Sequence, residues 1–265
     1  MKTLCLLAVA GLAGVASADT LVNARVERVM PLGQSGGVAL APLPGAVYSN
    51  ITNFRGQALA QGASAVQGTN TITRMLMDDI DAVQGDVIRT MRFSVANLNT
   101  VAVTARARLR FWNADGVNGG PGTYFQSPVG TNPTPGPLGF TFNPLSFGPG
   151  VTTLTADFTG SEFVIPATKF WVGVTFDNNN GGDQTALFNN MGQGIFDPVD
   201  IGSSADQVFL TTGAGSFFTT ANPAGSLVDL GASVANLGYE FVAVPTPGAL
   251  ALLGMGGLVA ARRRR

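Results

Sequence analysis

The chain reads as all-β, a two-layer antiparallel β-sandwich of jelly-roll type with long loops rich in Gly, Pro and Asn. Three observations predict this. Apolar and polar residues alternate over short runs, Gly (35) and Pro (15) break the chain at short intervals, and the charged fraction of 12% leaves no long helical run of Leu, Glu, Lys and Ala. About ten strands are expected, with no internal repeat.

Alternation from Leu21 to Met30 predicts a first strand, and residues 31–44 a loop. Residues 51–70 are small and polar, with weak strand character. Ile72 to Met77 predicts a strand ending in Asp78, Asp79 and Asp81. Three carboxylates alone do not fix a metal geometry, so this cluster is read as a solvated turn. The clearest signal runs from Val87 to Trp112, two long strands about a turn at Asn97 to Asn99. In the second strand Val101, Val103, Ala105, Ala107, Leu109 and Phe111 share one face, and Thr104, Arg106, Arg108 and Arg110 the other. Arginines in line suit an anionic glycan or phosphate. The preferred reading is a wetted sheet face whose arginines can pair with carboxylates elsewhere.

Residues 111–147 form a long irregular segment. Within it Asn113, Asp115 and Asn118 offer calcium-type oxygens, although Tyr124 stands where an EF-hand would place its Glu. Three further strands are expected at Val151 to Phe158, Glu162 to Ile165 and Lys169 to Phe176. The run Asp177 to Asp183 (DNNNGGD) follows at once. Asx and Gly residues make tight turns unaided. The same oxygens nominate Asp177, Asn179 and Asp183 as calcium ligands, the one cofactor the chain suggests. Short strands are then expected at Ala186 to Phe188, Gln207 to Thr212 and Leu237 to Val244, joined by a Gly-rich loop holding Asp197, Asp200 and Asp206.

Both ends carry addresses. Residues 1–18 have a Lys2 n-region, an apolar run from Leu4 to Val15 and an Ala16-Ser17-Ala18 cleavage site, the pattern of a signal peptide. Cys5, the single cysteine, lies inside it, so the body from Asp19 to Val244 has no thiol or disulfide. Residues 245–265 read PTPGALALLGMGGLVAARRRR: a Pro245-Thr246-Pro247 turn, an apolar run, then Arg262, Arg263, Arg264 and Arg265. The apolar run is short against the roughly 20 residues of a membrane span, and crosses only with local thinning and snorkelling arginines. The arginines are expected to stay on the cytoplasmic side, leaving the body outside.

This order of proline motif, apolar segment and arginine cluster resembles the PEP-CTERM sorting signal of bacterial surface proteins. Thr246 stands where that family most often carries Glu. The resemblance implies a membrane-embedded transpeptidase, exosortase, as a partner during export, with signal peptidase acting at the other end. It implies cleavage near the Pro-x-Pro, transient membrane association, and a secreted or envelope-bound product. It covers the tail alone.

Without its two signals the body has ten basic and sixteen acidic groups, a net charge of −6. Residues 19–110 hold nine arginines against six carboxylates, whereas residues 111–244 hold Lys169 against ten. An acidic second half argues against nucleic acid as a partner. The chain has no histidine, which removes Ser-His-Asp and Cys-His machinery and histidine-bound zinc. No phosphate or dinucleotide loop is present. Three functions stay open. The first, preferred here, is a non-catalytic envelope or matrix protein displayed through its tail. The second is a calcium-assisted glycan-binding module stacking polysaccharide on Trp112, Tyr124 and Trp171. The third is a glycoside hydrolase working through two carboxylates.

Overall fold

The computed structural model describes residues 20–35, 40–67, 69–125, 138–212, 221–229 and 236–244. The segments read as signal peptide and sorting tail lie outside them.

Two large sheets face one another in an all-β sandwich. The first runs, in spatial order, β1 (Thr20–Val22), β10 (Gly139–Phe142), β9 (Val103–Asn113), β14 (Lys169–Asp177), β7 (Leu76–Asp81), β16 (Gln207–Thr211) and β17 (Gly225–Asp229). To it are attached β5 (Ala63–Gln67), β6 (Asn70–Thr73) and β11 (Leu145–Phe147). The second runs β18 (Asn236–Leu237), β15 (Met191–Phe196), β8 (Val87–Asn97), β12 (Gly150–Asp157) and β2 (Ala24–Met30). Here β13 (Phe163–Val164) and β19 (Tyr239–Ala243) pair with β8, β3 (Ala46–Asn50) with β19, and β4 (Phe54–Ala60) with β15. The β1–β10 pair is parallel, and the β8, β9 and β14 ladders are antiparallel.

The alternation of β8 and β9 has a layer-to-layer consequence. These consecutive strands do not pair with each other: β8 bonds to β12 and β9 to β14. The turn between them arches from one sheet to the other, so Met91, Phe93 and Val95 meet Val103, Ala105, Ala107, Leu109 and Phe111 in one core. Phe111 packs across the gap on Phe163 (ring centroids 4.9 Å apart) and Phe241 (6.3 Å). Such aromatic pairs each add about 0.5–1.5 kcal/mol beyond the area they bury.

Several local expectations change. Residues 139–147, read as part of a long irregular segment, hold β10 and β11. The first strand splits at Asn23, with β1 in one sheet and β2 in the other. Residues Thr185–Phe188 form one helical turn, α1, not a strand. Asp183 Oδ1 accepts the Thr185 N–H (3.0 Å) and hydroxyl (2.6 Å) at its start, and Phe188 is buried at its end. The stretch Met191–Phe196, read as Gly-rich loop, is the fully buried strand β15. Its glycines are what allow this: a Cβ on Gly192 would overlap the Leu59 carbonyl oxygen of β4.

Candidate functional site

The run after β14 was nominated for calcium, and its first member is already committed. Asp177 is the register partner of Arg106, and its carboxylate is wholly buried. Arg106 Nε and Nη2 approach it at 3.0–3.2 Å, and Arg108 Nε at 2.6 Å. The Asn179 N–H donates to Asp177 Oδ1 (2.9 Å), and Asn179 and Asn180 are left-handed (φ 49° and 65°), which closes an Asx turn. Asp183 is exposed and holds the start of α1; its bond from the Thr185 hydroxyl lowers its pKa. Two guanidiniums thus match the Asp177 charge that a cation would need. Asp115 is spent in the same way, on the Thr123 N–H (2.7 Å) and hydroxyl (2.6 Å) across its own loop. Among the described residues no three His, Cys, Asp or Glu side chains are grouped to hold a metal ion.

The three aromatic residues nominated for glycan stacking do come together. Trp112 and Trp171 are register partners on β9 and β14, and Tyr124 bridges to Trp112. With Ile72, Met75, Met77 and Phe209 they form a second apolar cluster on the outer face of the first sheet. Both indoles are buried, at 1% and 3% exposure, while Tyr124 is half-buried at the rim. Trp171 Nε1 donates to the Gly119 carbonyl (2.8 Å) and so pins the loop after β9 onto the sheet. The cluster gives that loop an apolar floor.

The acidic cluster is not a solvated turn. Asp78 and Asp79 lie within β7 and are buried, because each finds partners there. Asp78 shares the inward register of Leu76 and Ile80, which belong to the main core. Its Oδ2 accepts from the Leu237 N–H of the facing sheet (2.6 Å), and its Oδ1 from the Ser204 hydroxyl (3.2 Å). Burial, and then the neighbouring Asp79 charge, push its pKa well above the usual carboxylate value. Asp79 points outward to Lys169 Nζ (2.7 Å) and to the Ala205 N–H (3.1 Å). Partial burial works against the Lys169 charge, but the Asp79 bond together with the charges of Asp79, Asp81 and Asp78 outweighs it and raises the lysine pKa. Asp81 accepts from the Ser203 hydroxyl (2.7 Å). Residues 203–206 are thereby fastened along β7.

Sequence reasoning missed a further buried group on the outer face of the second sheet. Glu240 of β19 accepts from the Ser49 hydroxyl (2.9 Å) and faces Arg92 Nη1 of β8 (3.3 Å). Arg92 Nε meets Glu27 Oε2 of β2 at 2.8 Å. Burial raises the Glu240 pKa against the opposing pull of the Ser49 hydroxyl and the Arg92 charge. Arg92 is the legible sign, a charge alternating with Thr90, Ser94 and Ala96 on the outward face of β8.

The charge imbalance along the chain has a structural use. Arg55 pairs with Asp197, Arg89 with Glu162, Arg92 with Glu240, and Arg106 and Arg108 with Asp177, each joining the basic half to the acidic half. Lys169, the single cation of the acidic half, pairs back to Asp79. Arg110 is buried and donates to the Leu109 carbonyl (2.7 Å). Among the described residues no helix is long and apolar enough to cross a membrane. No protein-family model matches the chain, and comparison with curated proteins and with solved structures found no match.

Proposed function

We propose that this chain is an exported, non-catalytic protein of the cell envelope or extracellular matrix, its sandwich displayed through the PEP-CTERM-like tail at residues 245–265. The observation that carries this reading is the use made of the buried carboxylates. Asp78, Asp79, Asp177 and Glu240 each bind a strand or loop distant in sequence, so the groups capable of acid-base work hold the scaffold together. The buried indoles of Trp112 and Trp171 support it in the same way, as packing for a loop. A closely packed body between an export signal and a sorting tail suits display.

The test is fractionation of the full-length chain in a bacterium that carries an exosortase, beside a variant lacking residues 245–265 and one with Arg262 to Arg265 changed to Gln. The full chain is expected in the envelope or medium, shortened at both ends by mass. The arginine variant is expected to reach the wrong fraction with its tail intact. An intact full-length chain in the cytoplasm would sink the proposal.

A further inference from the structure

The last described residue, Val244, donates its N–H to the carbonyl of Val87 at the start of β8 (2.8 Å). The tail therefore leaves the body at a fixed point. That end of the sandwich also carries exposed apolar side chains. Val87 and Val164 are register partners on β8 and β13, 38% and 48% exposed. Val83, in the turn joining β7 to β8, is 62% exposed. The turn is braced from below: the Gly85 N–H bonds to the Ile165 carbonyl (2.8 Å) and the Ile165 N–H to the Asp86 carbonyl (2.9 Å), which sets Val83 beside the β13 segment.

We propose that this end, carrying Val83, Val87 and Val164, rests on the phospholipid surface from which the tail emerges for as long as the tail is uncut. The proposal builds on the tail reading above and adds an orientation to it. Three residues, Pro245 to Pro247, separate Val244 from Gly248, where the apolar run begins; the four Cα-to-Cα steps reach at most about 14 Å. The headgroup layer on one side of a bilayer is roughly 5–8 Å deep. Once residues 248–261 enter the hydrocarbon, the tether holds the valines within reach of that layer, where apolar side chains gain by leaving water. The charges at this end are mixed. Arg89 and Lys169 stand among Asp81, Asp86 and Glu162, and are themselves paired to Glu162 and Asp79. The contact is therefore apolar and tether-dependent, not an electrostatic attraction to anionic lipid, and it is insensitive to salt. The opposite end, at the turn after β8, faces away. An 11-residue strand separates the two, about 33 Å.

The test uses the full chain with Cys5→Ser, which leaves no native thiol. Single substitutions Val83→Cys, Val164→Cys and, at the far end, Val101→Cys each carry a solvatochromic probe. All three positions are exposed. Each protein is mixed with phosphatidylethanolamine–phosphatidylglycerol vesicles, and flotation and quenching by aqueous iodide are read together at low and high salt. The proposal expects the chain to float, with iodide quenching at positions 83 and 164 falling several-fold and emission shifting blue at both salts, while position 101 is unchanged. Removal of residues 245–265 should restore quenching at 83 and 164. A chain that floats only with residues 245–265 present while all three positions quench alike overturns the docking and leaves the tail reading standing; flotation that survives their removal overturns both. A chain that does not float overturns both. Protection at 83 and 164 without vesicles, lost when the tail is removed, would show the tail folded onto the valines instead, and also overturns it.

Discussion

The carboxylate of Asp78, on β7 of one sheet, accepts a 2.6 Å hydrogen bond from the Leu237 N–H on the other sheet. A titratable group thus bridges the two layers at a point closed to water. Because its folded pKa is raised, the protonated form suits the fold better than the ionised one. Its contribution is complete below the unfolded value of about 3.9 and is lost as pH climbs through the raised folded value. Asp78→Asn should remove that loss. In urea titrations the stability of the variant relative to the parent should rise as pH climbs from about 4 through the raised folded value, by about 1.4 kcal/mol for each unit of elevation. Asp115, Asp157 and Asp183, whose pKa values are lowered, act in the opposite direction and are common to both proteins. Parallel pH profiles for the two proteins would show that Asp78 does not titrate in the fold.

The Arg106–Asp177–Arg108 group predicts an asymmetry. Removing both arginines strands a wholly buried charge, so the double variant Arg106→Ala, Arg108→Ala should lose about 3–5 kcal/mol. Asp177→Ala should lose less, because the two arginine side chains, each about a fifth exposed, can turn to water. Chemical denaturation of the two variants gives the order directly. The reverse order would mean that Asp177 is satisfied without the arginines and holds the loop through other contacts, such as its bond from the Asn179 N–H.

With Asp177 neutralised in this way, calcium should not change the melting midpoint. A ligand at a hundredfold over its dissociation constant adds about 2.7 kcal/mol, a shift easily read in a scan with calcium and with chelator. Asp183→Ala should lower the midpoint only slightly, through the loss of its bonds to Thr185 at the start of α1. A raised midpoint in calcium that Asp183→Ala abolishes would restore the metal reading of this loop.

Trp171 gives a test of packing against stacking. Trp171→Ala should cost about 3–5 kcal/mol, as expected for a buried indole, and should loosen the loop that Gly119 anchors. Trp171→Phe keeps part of the packing and removes the Nε1 bond, so its cost should fall between the alanine variant and the parent. Polysaccharide binding abolished by Trp171→Phe with no change in stability would favour the glycan-binding alternative.

Gly192→Ala should disrupt the β4–β15 pair, since its Cβ would occupy the position of the Leu59 carbonyl oxygen. Hydrogen exchange should report faster exchange in Phe54–Ala60 with the β9–β14 ladder unchanged. Equal exchange in both ladders would mean that the pair tolerates the extra carbon.

Sequence by itself determined the class and the long strands. Alternation over β8, β9, β12 and β14 is enforced by a period of two, which assigns a face to every residue once one face is apolar. It also put Asp78 on the inward register of Leu76 and Ile80, a signal legible in LMDDID but outweighed there by the usual preference of carboxylates for water. Tertiary structure decided which strands share a sheet. The turn after Asn97 joins layers instead of neighbours, and no local pattern distinguishes an arch from a hairpin. Tertiary structure also decided the strand status of β15, whose glycines weaken local preference and are favourable only where β4 approaches closely. The same holds for the candidate site. Composition supplied Arg106, Arg108, Asp177, Trp112, Tyr124 and Trp171, but whether they bind ions and sugars or one another depends on partners distant in sequence, more than fifty residues for the Arg–Asp177 and Trp112–Trp171 pairs, which only the folded chain brings within reach.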